Sequence, residues 1–225
     1  GRGASDDGAT AGPLELAGSP IERGRYLATA ADCTGCHTRP GGGDYAGGVE
    51  FRLPFGSVYS SNLTPDTETG IGGWSDDDFL RAVRGGVAPG GRHLYPAHPY
   101  TSYAAMARDD VLAIKAFLAS LPPARARIPP SALMFPFSQR WLLPLWNVLF
   151  LDNQRFRPTT DRDATWNRGA YLANALGHCG ECHTPRNAAY GLKTGRALNG
   201  AVTRGWKAYN ITADADAGIG AWTDA

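Results

Sequence analysis

The chain has 225 residues with 22 Lys and Arg against 21 Asp and Glu, a formal charge of +1, which excludes the strongly basic surface of a nucleic-acid binder. Hydrophobic residues at 43% and charged residues at 19% suit a globular chain of one large domain or two small ones, and exclude a disordered or long coiled-coil protein. The longest apolar run, residues 141–151, contains Pro144 and Asn147 and is far short of a bilayer span.

Residues 1–20 have neither a basic head followed by an apolar run nor an initiating Met, and read as a processed or trimmed N-terminal extension. A helix is predicted next, with Tyr26, Leu27 and Ala30 on one apolar face, leading into Cys33-Thr34-Gly35-Cys36-His37. A Gly-rich loop over 41–48 and a turn-laden stretch with Pro54, Gly56 and Pro65 follow. Ser75 then caps a helix whose first turn, Asp76-Asp77-Asp78, suits the helix dipole and which Gly85 and Gly86 end. After a loop, residues 108–121 predict a second strong helix, with Val111, Ile114, Leu118 and Leu121 at helical spacing and Pro122-Pro123 as its stop.

The four cysteines form two pairs, Cys33/Cys36 and Cys179/Cys182, each followed at once by a histidine, His37 and His183. C-x-x-C-H is the attachment signature of c-type haem: two thiols add to the porphyrin vinyl groups and the adjacent imidazole supplies the proximal iron ligand. A zinc site, a thioredoxin-like redox pair or structural disulfides would use the same cysteines but leave the two histidines unexplained. Covalent haem attachment is completed outside the cytoplasm, so the expected location is the bacterial periplasm, on the outer face of the inner membrane.

The chain is also internally repeated. Residues 23–38, RGRYLATAADCTGCHT, answer 168–184, RGAYLANALGHCGECHT, with one residue inserted before the second cysteine pair; residues 62–77 likewise answer 210–225. The expected fold class is therefore all-α, two tandem small cytochrome c domains. The first occupies 21–121, an apolar linker 122–165, and the N-terminal half of a second, truncated domain 166–225. For the sixth iron position of the first domain, His98 is favoured because of its spacing from the last helix and the Pro that follows it, with Met106 the alternative and His93 and Met134 behind them. His178 adjoins Cys179 too closely to reach the opposite face, and the second domain offers no distal ligand within this sequence.

The segments GRYLATAADCTGCHT, PFGSVYSSNLTPDTETGIGGWSDDDF, GRHLYPAHPYTSYAAM and DDVLAIKAFLASLPP, with the repeat after them, resemble the multihaem cytochrome c subunits of bacterial membrane-associated alcohol, aldehyde and sugar-acid dehydrogenases. The resemblance implies three haem domains, the third beyond Ala225. It also implies a catalytic dehydrogenase partner with pyrroloquinoline quinone, flavin or a molybdenum cofactor, and ubiquinone or a terminal oxidase as acceptor. Family members often read PAMPY, with the Met as axial ligand, where this chain has PAHPY around His98. The function implied is electron relay without bond-making chemistry on this chain. A dihaem peroxidase with an open sixth position and a haem sensor module are the alternatives.

Some further residues have more than one reading. The linker residues Trp141, Leu145, Trp146, Leu149 and Phe150 either close the core between domains, dock on the dehydrogenase, or lie at a membrane interface. Arg84 and Arg92 are propionate partners or solvated arginines. Trp74 and Trp222, at matching repeat positions, are propionate donors or core filling.

Overall fold

The computed structural model describes residues 18–203 and 205–223; residues 1–17 of the N-terminal extension lie outside the described residues. The chain divides into two compact units, one running to Gly177 and one from His178.

In the first unit, α1 (Pro20–Ala30) starts with a reciprocal capping box between Ser19 and Glu22 and with Pro20 in its first turn. Its buried residues are Gly24, Leu27 and Ala28; Tyr26, expected on the buried face, is 41% exposed. The one-turn α2 (Cys33–His37) follows. The helix expected after Ser75 is α3 (Asp76–Gly85), capped by Ser75 and Asp78 and ended at Gly86. After the short α4 (Tyr100–Tyr103) comes α5 (Arg108–Ala119), which buries Val111, Ala113, Ile114, Phe117 and Leu118. Gly24 is where α1 crosses α5: a Cβ there would stand 1.9 Å from the Ala113 carbonyl oxygen, so only glycine lets the backbones approach this closely. Beside the crossing, the buried Asp110 carboxylate pairs with Arg23 and accepts the Tyr171 hydroxyl at 2.6 Å. That hydroxyl accepts the Ala107 amide at 3.1 Å, so the buried charge is fully engaged.

The all-α expectation does not hold: the described residues are mixed, 37% helix and 12% strand. β1 (Glu50–Leu53) and β2 (Gly56–Tyr59) form an antiparallel hairpin, with Glu50 opposite Tyr59 and Leu53 opposite Gly56. β3 (Val87–Ala88) pairs with β4 (Arg92–His93), and β5 (Ala132–Leu133), from the linker, adds to the free edge of β2. Strands of two to four residues are too short for period-two alternation to show in a sequence, and Pro54 and Gly56 inside the first hairpin read as loop punctuation.

The linker folds back on the first unit. Phe137 stacks on Phe55 at 3.9 Å between centroids, and Arg140 donates to the His93 carbonyl at 2.6 Å while lying over the Tyr95 ring. Within α6 (Leu143–Phe150), Leu143 is buried, Trp146 meets the Tyr100 ring edge-on, and Asn147 accepts the Tyr100 hydroxyl at 2.8 Å.

α7 (Ala164–Tyr171), capped by Asp163, runs into one π-helical turn, Leu172–Leu176, closed by the Gly177 amide donating to the Leu172 carbonyl at 2.6 Å. The one residue inserted in the second repeat falls in this stretch, and a turn wound i→i+5 absorbs one extra residue without breaking the helix. The buried face also differs between the repeats. Tyr171, Ala175 and Leu176 are fully buried, although Tyr26, the repeat partner of Tyr171, is exposed.

The second unit holds α8 (Gly180–His183) and the hairpin β6 (Ala201–Thr203) and β7 (Trp206–Ala208), paired Ala201 to Ala208. Among its described residues only Thr184 and Gly191 are buried.

Candidate functional site

The residue before each cysteine pair sets up the motif. Asp32 has φ 49 and His178 φ 41, left-handed conformations that end the preceding helix and redirect the chain into α2 or α8. In the turn that follows, helical spacing puts Cys33 and Cys36, or Cys179 and Cys182, one turn apart on the same side, with the histidine next in line. No disulfide joins the four cysteines among the described residues. Burial, then the neighbouring Cys36 and Asp32, push the Cys33 thiol up to about 12, so it is held as the neutral thiol.

Both histidines are held from behind by a main-chain carbonyl. His37 Nδ1 lies 2.7 Å from the Ser61 oxygen and His183 Nδ1 2.7 Å from the Tyr209 oxygen. A carbonyl can only accept, so Nδ1 carries the proton and Nε2 keeps its lone pair, the tautomer that binds a metal. Burial lowers the His37 pKa, which favours the same neutral form.

The carbonyls are placed by a loop the two units build alike. The Thr38 hydroxyl accepts the Tyr45 amide at 3.0 Å, and the Thr184 hydroxyl accepts the Leu198 amide at 3.0 Å. Tyr45 and Leu198 share a positive φ, 58 and 62, as do Gly47 and Gly200, whose amides donate to the His37 and His183 carbonyls at 2.7 and 2.8 Å. The Tyr45 carbonyl then takes the Leu63 amide and the Leu198 carbonyl the Ile211 amide, which fixes the strand carrying Ser61 or Tyr209 beneath the imidazole. Next, Asn62 and Asn210 each accept the amide two residues on, at 2.9 and 2.8 Å. Asp66 and Asp214 close the same turn on the amides of Thr69 and Ala217, at 2.6 and 2.7 Å. The correspondence survives a longer excursion in the second unit, where Arg186 meets Glu181 and lies over Tyr190.

The remaining expected site residues are distributed differently. Met106 is fully buried in the core of α1, α3 and α5, against which Cys33 is packed. His98 is half-buried, its ring 5.4 Å from that of Tyr103, whose hydroxyl donates to the Ala31 carbonyl just ahead of the motif. His93 lies in β4 with its Nδ1 buried and without a hydrogen-bond partner among the described residues, and Met134 is 60% exposed. Arg84 is buried rather than solvated, whereas Arg92 is exposed. Trp74 packs against the core and its repeat partner Trp222 is 76% exposed. The carbonyls of Ser61 and Tyr209 had no sequence signal of their own, since any residue supplies one; their trace is the Asn that follows each, Asn62 and Asn210.

The donor set fits haem c: paired thiols one turn apart, and a histidine with Nδ1 fixed and Nε2 free, in both copies. The family profile "Cytochrome c" matches residues 21–122. The chain is 48% identical over 86% of its length to a subunit of the nicotinate dehydrogenase of Pseudomonas putida, covering 16% of that protein. It is 41% identical over 91% of its length to the gluconate 2-dehydrogenase cytochrome c subunit of Pantoea cypripedii, covering 48% of it. It is 39% identical over 91% of its length to the cytochrome c subunit of the quinone-dependent alcohol dehydrogenase of Gluconobacter oxydans, covering 45%. The chain thus spans less than half the length of each of these relatives.

Proposed function

Residues 21–122 are a cytochrome c domain, and from that premise we propose that the chain is an electron-transfer subunit that takes electrons from a partner dehydrogenase and passes them to the respiratory chain. The observation that carries this reading is the duplicated histidine clamp, 2.7 Å in both units. It supports two haem c sites, with Cys33, Cys36 and His37 holding one and Cys179, Cys182 and His183 the other.

Bound haem supplies a one-electron couple. The chain's own residues anchor and tune it. The cysteines fix it to the turn, and the carbonyls of Ser61 and Tyr209 orient each imidazole and raise its basicity, which favours the oxidised iron. For the sixth position of the first site the reading is His98, supported by its place in the loop that the linker covers and by its contact with Tyr103; Met106, already in the core, is the alternative. Low-temperature electron paramagnetic resonance tests this: His98→Ala should convert one haem from low to high spin, and the same conversion by Met106→Ala alone would assign Met106 instead.

The relatives' names supply the kind of partner, a catalytic dehydrogenase subunit, with a quinone or terminal oxidase as the acceptor on the periplasmic face of the inner membrane. No helix among the described residues is long and apolar enough to cross a membrane. The relatives' extra length supports a third haem beyond Ala225, which iron counting on the full-length protein tests. For the function itself, the native complex is held anaerobically while nicotinate, gluconate and alcohols are added one at a time and the reduced α-band is followed. Reduction by one class is expected. Oxidation of pre-reduced haem by peroxide, with no reduction by any substrate, would favour the peroxidase reading.

A further inference from the structure

Both candidates for the sixth position, His98 and Met106, lie in residues 93–107, a segment whose longest regular element is the one-turn α4. A single turn of helix does not hold itself together. Within its own repeat the segment is tied through β4, by the Leu94 amide donating to the Gly86 carbonyl at 2.7 Å, and by the Tyr103 hydroxyl donating to the Ala31 carbonyl at 3.0 Å. Further ties come from later in the chain. Arg140 donates to the His93 carbonyl at 2.6 Å while lying over the Tyr95 ring, and Asn147 accepts the Tyr100 hydroxyl at 2.8 Å, which brackets His98 on both sides. Arg155 donates to the Ala104 carbonyl at 2.7 Å and the Phe156 amide to the Ala105 carbonyl at 2.9 Å. The Ala107 amide donates to the Tyr171 hydroxyl at 3.1 Å, so the main chain is clamped on both sides of Met106 as well. Upstream, the linker crosses the loop beneath His37: the Ala126 amide donates to the Thr69 hydroxyl at 3.0 Å and the Met134 amide to the Phe55 carbonyl at 2.9 Å. One stretch of chain thus braces the loop behind the proximal histidine and then the segment that carries both sixth-ligand candidates.

From this geometry we infer that the linker is a strap across the first haem site, with Arg140, Asn147 and Arg155 as positioning residues for its sixth ligand. The inference rests on the proposed haem site at Cys33, Cys36 and His37. It holds whichever of His98 and Met106 supplies the ligand, because linker bonds bracket each of them. Release of either ligand moves its main chain, and that movement breaks a hydrogen bond to the Arg140 or Arg155 guanidinium. Bonds with an ionised donor are about twice as strong as neutral ones, and both arginines are half-buried, where water competes less. The strap therefore raises the cost of opening the sixth position without touching the iron, as outer groups do when they orient metal ligands. A relay keeps the same two ligands in both oxidation states, whereas a peroxidase must let one go; a strap of this kind serves the relay.

The test uses the full-length holoprotein, reduced with dithionite, and stopped-flow binding of carbon monoxide, which takes the sixth position of ferrous haem only when the protein ligand lets go. Replacing both arginines, Arg140→Ala with Arg155→Ala, should turn the slow binding of one haem into a phase about tenfold faster, the change expected for loss of a hydrogen bond to a charged group. Restoring a cation at each position, Arg140→Lys with Arg155→Lys, should bring most of the parent rate back. Ser75→Ala removes the cap of α3, outside the strap, and should lower the thermal melt with the carbon monoxide rate unchanged. The parent rate in the double alanine variant overturns the strap. So does an equal acceleration in Ser75→Ala, which would mean that any loss of stability opens the site. A parent with no slow phase at the first haem overturns it too, and favours the peroxidase. The haem reading fails separately: a pyridine haemochrome spectrum of the parent without thioether haem at Cys33 and Cys36 removes the site and the strap together.

Discussion

The two C-x-x-C-H units agree in the loop beneath the histidine and differ in what covers it. From Thr38 to Trp74 and from Thr184 to Trp222 the same main-chain bonds recur within a few tenths of an ångström. In the first unit that loop is overlaid: Asn62 donates to the Ala124 carbonyl at 2.7 Å, the Thr64 hydroxyl accepts the Ala124 amide, and Ile71 is buried with the core of α1, α3 and α5. In the second unit the matching Asn210 and Thr212 are half-exposed and Trp222 lies in the open. The histidine clamp is thus a local structure, held by main-chain bonds within about 40 residues, whereas its cover in the first unit comes from α1, α3, α5 and the linker.

The largest test of this equivalence is at the ligands. His37→Ala and His183→Ala should each abolish the low-spin α-band of one haem and leave the other intact; loss of both from either variant would show that the sites are not independent. The helix crossing comes next. Gly24→Ala drives a methyl into the Ala113 carbonyl and should cost about 3 kcal/mol in thermal or denaturant unfolding, while Gly169→Ala, with nothing within 4 Å, should be neutral or stabilise by up to ~1 kcal/mol. Equal costs would mean that Gly169 also sits under a helix in the complete protein.

A smaller contrast is expected at the loop amide. Asn62→Ala strands the buried Thr64 amide, while the Ala124 carbonyl keeps the Thr64 hydroxyl, and should cost about 2 kcal/mol; Asn210→Ala, partly solvated, about 1 kcal/mol or less. The smallest effect is acid sensitivity, where the two units should behave alike. Hydrogen bonds from the Thr69 amide hold Asp66, and from the Ala217 amide Asp214, below the ordinary carboxylate range. A depressed folded pKa stabilises above the unfolded value and is lost as pH falls through the folded one. Protection of the amides in both turns, measured against the intrinsic exchange rate at each pH, should therefore fall only below about pH 4, and a difference between them would expose different surroundings.

The helices that carry strong local signals are legible in the sequence: the Ser75 cap with its three aspartates, the 108–121 periodicity, and the paired C-x-x-C-H turns. The three small sheets among the described residues are not, because strands of two to four residues leave no periodic trace and because β5 comes from a linker more than 70 residues after β2. Of the apolar face expected on α1, Leu27 is buried but Tyr26 is exposed, and Gly24 and Ala28 pack beside Leu27. The choice among those faces is made by α5 at the Gly24 crossing, a contact no local pattern encodes.

By itself the sequence determined the donor set: two thiol pairs each with an adjacent histidine, and a repeat that implies the same turn twice, because donors that adjoin in the chain need only local geometry to come together. Tertiary structure alone decided the tautomer of each histidine through the carbonyls of Ser61 and Tyr209, the burial of Met106 and Arg84, and the linker's hold on residues 93–107. Each of these depends on which distant backbone comes within a few ångströms, and that is fixed by packing between elements rather than by any residue's own preference.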